Sequence, residues 1–280
     1  MSSLPKYEVV VAYRIYPGVS KIPFVHADNK LKLTELGIRT IKQSFGLTKV
    51  KFFFLLDNCP IEYQAMISRY FEKQDVTFLS YNGIGNLATF GKQIDILLEQ
   101  VDSEIVMFAE DDYVYRKGEL QKAIRLLKNN PQIDFVTPYD HLDSYLLPIH
   151  TKHRYEIIAQ EDLHWRTSAS TCLTFLTTKS TLRKSEKTFR SYCKGNWDSS
   201  LWFALTKFNV FDIRVMLLPF SHWFLLKTIL KSWLTCGSQI IFDRKYKLWQ
   251  PMPSIATHME RISLAPVIKW EQVVQDSYND

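Results

Sequence analysis

The stretch Glu104-Ile105-Val106-Met107-Phe108-Ala109-Glu110-Asp111-Asp112-Tyr113 constrains the chain more than any other. Its apolar run has the length of a β-strand and apolar side chains on both faces, as suits a strand buried inside a parallel sheet. It ends abruptly in three adjacent acids. Open α/β sheets bind ligands just outside the carboxyl ends of such strands. Three neighbouring carboxylates repel one another unless a cation joins them. A hard divalent ion, Mg2+ or Mn2+, prefers carboxylate oxygen and is often shared with substrate phosphates. The plainer alternative is a solvated acidic turn that merely ends a strand, and the order of the surrounding elements weighs against it.

Glu8 to Tyr13 reads as a first buried strand, and Tyr16-Pro17-Gly18 turns the chain. Leu31, Thr34, Ile38, Ile41 and Phe45 recur at three- and four-residue steps, one face of a helix that ends at Gly46. Lys51 to Leu56 is a second strand, a short helix covers Ile61 to Lys73, and Val76 to Ser80 is a third strand. Leu87, Phe90, Ile94, Leu97 and Val101 mark a helix that starts near Asn86. Gly91 inside it costs about 1 kcal/mol relative to Ala, which signals close packing or close approach of a ligand. After the acidic strand, Gly118 to Asn130 is a helix stopped by Pro131, and Phe135 to Pro138 is another strand. Four strand–helix alternations predict a doubly wound, mostly parallel α/β sheet flanked by helices. From about His141 the pattern loosens. Thr171 to Thr178 reads as a strand, Lys179 to Lys187 as a short basic helix and Asp198 to Phe208 as another helix. A single α/β domain over residues 1–280 is expected, with halves at about 7–140 and 141–280.

With 46% hydrophobic and 23% charged residues the chain is globular rather than disordered. A net charge of +6 suits anionic ligands or a phospholipid surface, and no dense basic run marks a nucleic-acid binder. Cys59, Cys172, Cys193 and Cys236 lie far apart with no CxxC pair, so neither a zinc site nor a disulfide framework is signalled. The first residues lack a signal-peptide pattern, and no stretch reaches the roughly 18 apolar residues of a membrane span. A cytoplasmic protein is expected, or one peripheral at the inner face of a membrane.

The motifs in this order resemble those of the GT-A fold glycosyltransferases, most closely the family 2-like inverting members. EVVVAYR stands at that family's first strand and FFFLLDN at its second. NGIGNLATFGKQ is similar to its Asn/Gly-rich turn and helix, FAEDDY to its metal-binding DXD motif, GNWDSSLW to its acid-bearing acceptor helix and ATHME to its late metal-binding histidine. Together they cover roughly residues 7–260. Glu110 replaces the first Asp of DXD, Tyr13-Arg14-Ile15-Tyr16 replaces the usual Pro-Thr-Tyr-Asn, and Trp197-Asp198 replaces the usual Glu-Asp pair.

The resemblance implies a nucleotide-sugar-binding first half, an acceptor-side second half and a C-terminal acceptor-side extension. It implies Mn2+ or Mg2+ bridging the phosphates of a UDP- or GDP-sugar, and transfer to a glycan or glycolipid hydroxyl. Asp112 and His258 are the expected metal ligands. Glu110 and Asp111 would support the ribose, the donor sugar or metal-bound water. Asp57 could meet the uracil or ribose, or simply make an Asx turn before Pro60. Tyr13 could stack on the base and Arg14 bind phosphate. Asn86 either caps its helix or reaches the donor, and Lys92 is a phosphate contact or an exposed charge. Asp198 is the candidate general base, with Glu161 and Asp162 as rivals. Trp165 and Trp197 are candidate walls for an acceptor sugar, and Trp202 suits the core.

Residues 216–234 are the most apolar late segment, with Trp223, Leu226, Leu230 and Trp233 as one stripe beside Lys227 and Lys231. A core-facing helix is the first reading and a helix in a membrane interface the second. A catalytically inactive GT-A-like protein that binds a glycan or a partner is the alternative to an enzyme. Convergence of Asp112, His258 and Asp198 on one cleft discriminates between them.

Overall fold

The structure is a computed structural model that describes residues 6–19, 21–147, 150, 154–214 and 223–279. The first half runs β1 (Val9–Ile15), α1 (Lys30–Ser44), β2 (Val50–Asp57), α2 (Ile61–Ser68), β3 (Val76–Tyr81), α3 (Gly85–Glu99) and β4 (Ile105–Glu110). It continues with β5 (Tyr113–Tyr115), α4 (Leu120–Asn129) and β6 (Phe135–Val136). Then come α5 (Asp143–Leu146), β7 (Ile157–Gln160), β8 (Leu163–Ser168), β9 (Phe175–Thr178), α6 (Lys179–Tyr192) and α7 (Asp198–Thr206). The chain closes with α8 (Trp223–Phe242), β10 (Leu248–Met252), β11 (Ala256–His258) and α9 (Trp270–Asp276).

Nine strands form one sheet in the order β3-β2-β1-β4-β9-β6-β10-β8-β7, and β11 pairs with β5 in a second, two-stranded sheet. β3, β2, β1 and β4 are parallel neighbours, as helical crossovers require. A wholly parallel sheet is not what forms. β9 lies antiparallel between β4 and β6, because the β7–β8 hairpin, not a helical crossover, delivers the chain to it. β8 also runs against its neighbours β10 and β7. The architecture is therefore mixed α/β with a mostly parallel sheet, and strands from both halves interleave in it.

Helices cover both faces because β1 and β4 are apolar on both. Val9, Val11, Tyr13 and Ile15 share one core with α1 and α4, whereas Val10 and Ala12 join the core of α3, α6 and α7. Asn29 caps α1 by accepting the Lys32 N–H at 3.0 Å, and Gly46 ends the turn beyond it at φ +57°. α2 stops at Ser68 rather than Lys73, and Phe71 packs on Phe52 and Phe54 at centroid distances of 4.7 and 5.5 Å. Gly91 is a packing glycine: a Cβ there would lie 3.3 Å from Cys193 Sγ.

Part of the apolar segment 216–234 lies outside the described residues, which resume at Trp223. α8 buries Leu225, Ile229, Cys236 and Ile240. Trp223 and Leu230, expected on the core stripe, are 43% exposed because the inward face is set one residue away, from Leu225. Among the described residues no helix is long and apolar enough to cross a membrane.

Candidate functional site

Strand parity decides which side chains reach the ends of the sheet. Arg14 and Glu110 are register partners on β1 and β4. Both project to the α3 side, where Arg14 Nη2 meets Glu110 Oε1 at 2.6 Å. Glu110 Oε2 also accepts from Thr174 Oγ1 at 3.3 Å. Arg14 Nη1 donates to the Asn86 backbone oxygen at 3.0 Å and to its Oδ1, and Asn86 Nδ2 donates to Tyr192 Oη at 2.9 Å. Asn86 is not the cap of α3, which begins one residue earlier.

Asp111 turns the other way, towards α1. Lys30 Nζ lies 2.9 Å from Asp111 Oδ2, and Tyr16 N–H and Thr34 Oγ1 donate to the same oxygen at 3.3 Å each. Burial raises the Asp111 pKa, and Lys30 offsets only part of that. Lys30 was not foreseen. A cation in the first turn of a helix opposes the dipole, and that mismatch is the one trace in the sequence of an anion waiting there.

Asp112 follows β4 and is positioned by the β5–β11 ladder. His258 pairs with Tyr113, and Met259 N–H donates to the Asp112 backbone oxygen at 2.7 Å. The ladder brings His258 Nε2 to 2.9 Å from Asp112 Oδ2. Glu260 N–H donates to His258 Nδ1 at 3.2 Å, which leaves Nε2 to face the carboxylate. Burial alone would raise the Asp112 pKa, but the His258 charge and hydrogen bond outweigh it and bring it down to about 2. Burial likewise opposes the His258 charge, and Asp112 reverses that and raises its pKa. Asp112 Oδ1 is buried with no hydrogen-bond partner.

Arg14, Tyr16, Lys30, Asn86 and the three acids line one cleft of about 540 Å³ at the carboxyl ends of β1, β2 and β4. Of the three residues whose convergence discriminates the two readings, Asp112 lines this cleft, His258 lines a small neighbouring one with Asp112 and Lys30, and Asp198, at the start of α7, lines neither. Burial raises its pKa, the Ser199 N–H bond counters this, and the Glu110 charge adds to it. Trp197 precedes it and is 38% exposed, whereas Trp202 is buried.

Several expected contacts do not reach the cleft in the expected way. Tyr13 lies on the odd-numbered face of β1 and is fully buried against Phe54, so its ring cannot stack on a base. Asp57 borders the cleft, but its two oxygens accept from the Ile84 and Gly85 N–H groups, each at 2.8 Å. It braces the turn before α3. Lys92 is on the outer face of α3, 3.9 Å from Asp95. Trp165 is 1% exposed, because its parity on β8 directs it into the core. Glu161 and Asp162 occupy the β7–β8 turn and pair with Arg125 at 2.6 Å and Lys122 at 2.7 Å. Those cations belong to α4 and lower both carboxyl pKa values through direct hydrogen bonds.

A second polar cluster was also missed. Asp140, 3% exposed, accepts from Arg166 at 2.8 Å, Gln250 at 2.6 Å and Tyr145 at 2.6 Å. Its members come from separate elements, so no local spacing announces it.

Among the described residues no group of three or more His, Cys, Asp or Glu side chains is arranged to hold a metal. The Asp112–His258 pair nevertheless fits a divalent ion that takes its remaining ligands from phosphate and water. Asp112 offers its buried, unpartnered Oδ1, and His258 offers Nε2 once that nitrogen gives up the proton it shares with Asp112 Oδ2.

No protein-family model matches the sequence, and no curated protein sequence does. Solved structures similar to the chain include a mannosyltransferase from Pyrobaculum calidifontis in complex with GDP-Man and Mn2+. It is 14% identical with a TM-score of 0.44 over 73% of this chain and 52% of that one. The glycosyltransferase GlyE of Streptococcus pneumoniae TIGR4 is 13% identical with a TM-score of 0.43 over 99% of this chain and 64% of that one. The galactosyltransferase LgtC in complex with donor and acceptor sugar analogs is 10% identical, TM-score 0.43, over 69% of each chain. Likenesses this distant assign neither substrate nor chemistry, which rest on the cleft itself.

Proposed function

We propose that the chain is a metal-dependent glycosyltransferase. It moves a sugar from a UDP- or GDP-sugar to a hydroxyl of a glycan or glycolipid acceptor, with inversion. The supporting observation is the division of labour among three successive acids. Glu110 is held by Arg14 and Asp111 by Lys30, while Asp112 keeps an unpartnered buried oxygen beside His258.

Asp112 and His258 would hold Mn2+ or Mg2+, whose charge, when bound, neutralises the donor diphosphate as it becomes the leaving group. Arg14 and Lys30 bring positive charge to the same cleft, and Asn86 and Tyr16 border the space for the nucleotide. Asp198 accepts the proton of the acceptor hydroxyl as that oxygen attacks the anomeric carbon from the face opposite the diphosphate. Its raised pKa makes it a stronger base than an ordinary carboxylate. Trp197, 38% exposed and next to Asp198, borders the space for the acceptor sugar.

The test is equilibrium binding of UDP- and GDP-sugars with and without Mn2+. The wild-type protein should bind one of them in a Mn2+-dependent way. Asp112→Ala should abolish that dependence without unfolding the protein, and His258→Ala should weaken metal affinity while some donor binding persists. Donor binding by Asp112→Ala as tight as wild type in saturating Mn2+ overturns the assignment. The anomeric configuration of the product, read by NMR, tests inversion.

A further inference from the structure

α8 is apolar on both of its long sides. Leu225, Ile229, Cys236 and Ile240 face the core shared with α7. Phe224, Leu230 and Leu234 point outward before the kink at Cys236 and are 57%, 43% and 87% exposed, and Ile241 and Phe242 beyond it are 55% and 82% exposed. Single exposed apolar residues need no explanation, but several of them on one stretch of helix do.

The charges on that face indicate what covers it. α8 contains no acidic residue, and its two basic ones, Lys227 and Lys231, stand among the outward apolar side chains. Lys227 Nζ lies 5.2 Å from the Trp223 ring centroid and Lys231 Nζ 4.4 Å from that of Trp197. Both ammonium groups sit over aromatic rings, so positive charge and apolar surface share one patch, as at a headgroup boundary. A second copy packed face to face through α8 fits poorly, because that helix has no acidic residue to pair with these lysines. Anionic phospholipid complements both features at once. The patch also reaches the start of α7. Phe224 stacks with Trp197 at 6.2 Å and 10°, and Trp197 directly precedes Asp198.

We infer that the outer face of α8 docks on an anionic phospholipid surface, lying in the interface and not spanning it. Docking there sets Trp197 and the start of α7 towards the headgroups. The inference does not depend on the proposed transfer reaction.

Vesicle flotation of the full chain, without nucleotide sugar or metal, tests it apart from catalysis. Vesicles of phosphatidylcholine with about one-third phosphatidylglycerol should carry the wild-type protein, and pure phosphatidylcholine should carry far less. Added salt should weaken the binding. Leu234→Asp combined with Phe242→Asp should lower the bound fraction at least about tenfold at unchanged melting temperature, since both residues are exposed. Lys227→Glu with Lys231→Glu should remove the preference for anionic vesicles. Leu47→Asp, a substitution of an equally exposed residue in the loop between α1 and β2, should change nothing. Three results overturn the inference: no binding to either vesicle, undiminished binding by the Leu234/Phe242 variant, or a wild-type dimer that this variant converts to monomer.

Discussion

Asp198 carries its carboxyl group at the first residue of α7, where Oδ1 accepts the Ser199 N–H at 2.6 Å. Burial is the main reason its pKa is raised, and the Glu110 charge adds to it. A general base must be ionised to take a proton, so transfer should fall as pH drops through this raised pKa. The acidic limb of the pH–rate profile should therefore lie above the roughly 3.9 of an ordinary Asp. Asp198→Asn should lower transfer by roughly 10²–10⁴-fold and abolish that limb, with donor affinity nearly unchanged. Full transfer by the Asn variant would reject the assignment. At this scale the sequence was legible in where an acidic run falls after an apolar strand, since Glu110, Asp111 and Asp112 stand at the carboxyl end of β4 and line the cleft. It was not legible where facing mattered. Tyr13 and Arg14 are neighbours, yet alternation along β1 buries one in the core and delivers the other to Glu110. Trp165 was misread for the same reason.

Elements bring together what spacing along the chain cannot. The apolar runs of β1, β2 and β4 and the stripe of α1 could be read directly, because periodicity reports burial. The β5–β11 ladder could not, since two three-residue strands far apart in sequence carry almost no pattern of their own. His258 entered through family resemblance, and the ladder supplies the physical reason it meets Asp112. The Asp140 cluster is another product of assembly, joining the end of β6 to α5, β8 and β10. Asp140 and Arg166 have side chains only 4% and 8% exposed, so removing one partner leaves the other charge buried. Arg166→Met should cost about 3–5 kcal/mol of stability in urea titrations. Gln250 and Tyr145 remain to hydrogen-bond Asp140, which places the expected value near the lower end. Adding Asp140→Leu should restore part of the loss, because a buried pair replaced by apolar groups of similar size is close to neutral. A double variant no more stable than Arg166→Met alone would contradict this account.

Across the whole molecule, the direction and place of β9 matter most for how the halves are joined. Strand–helix alternation predicted a parallel sheet and a looser second half, but propensity says nothing about which edge a later strand will fill. β9 comes from the second half and pairs with β4 and β6 of the first, so neither half has a complete sheet alone. One cooperative unfolding transition is expected in consequence. The chain provides its own reporter, because all seven tryptophans lie between Trp165 and Trp270, in the second half. The cleft proposed for the donor is lined by residues from Arg14 to Asp112, in the first half. A nucleotide sugar with Mn2+ at about 100 times its Kd should stabilise the folded state by about 2.7 kcal/mol. For a chain of this size that corresponds to a rise of several degrees in melting temperature. The rise should be seen equally by tryptophan fluorescence and by far-UV circular dichroism, although the ligand touches no tryptophan in the cleft. Asp112→Ala should lose the Mn2+-dependent part of the shift under both probes. A fluorescence transition that stays in place while circular dichroism moves would mean that the halves melt separately and that β9 does not couple them.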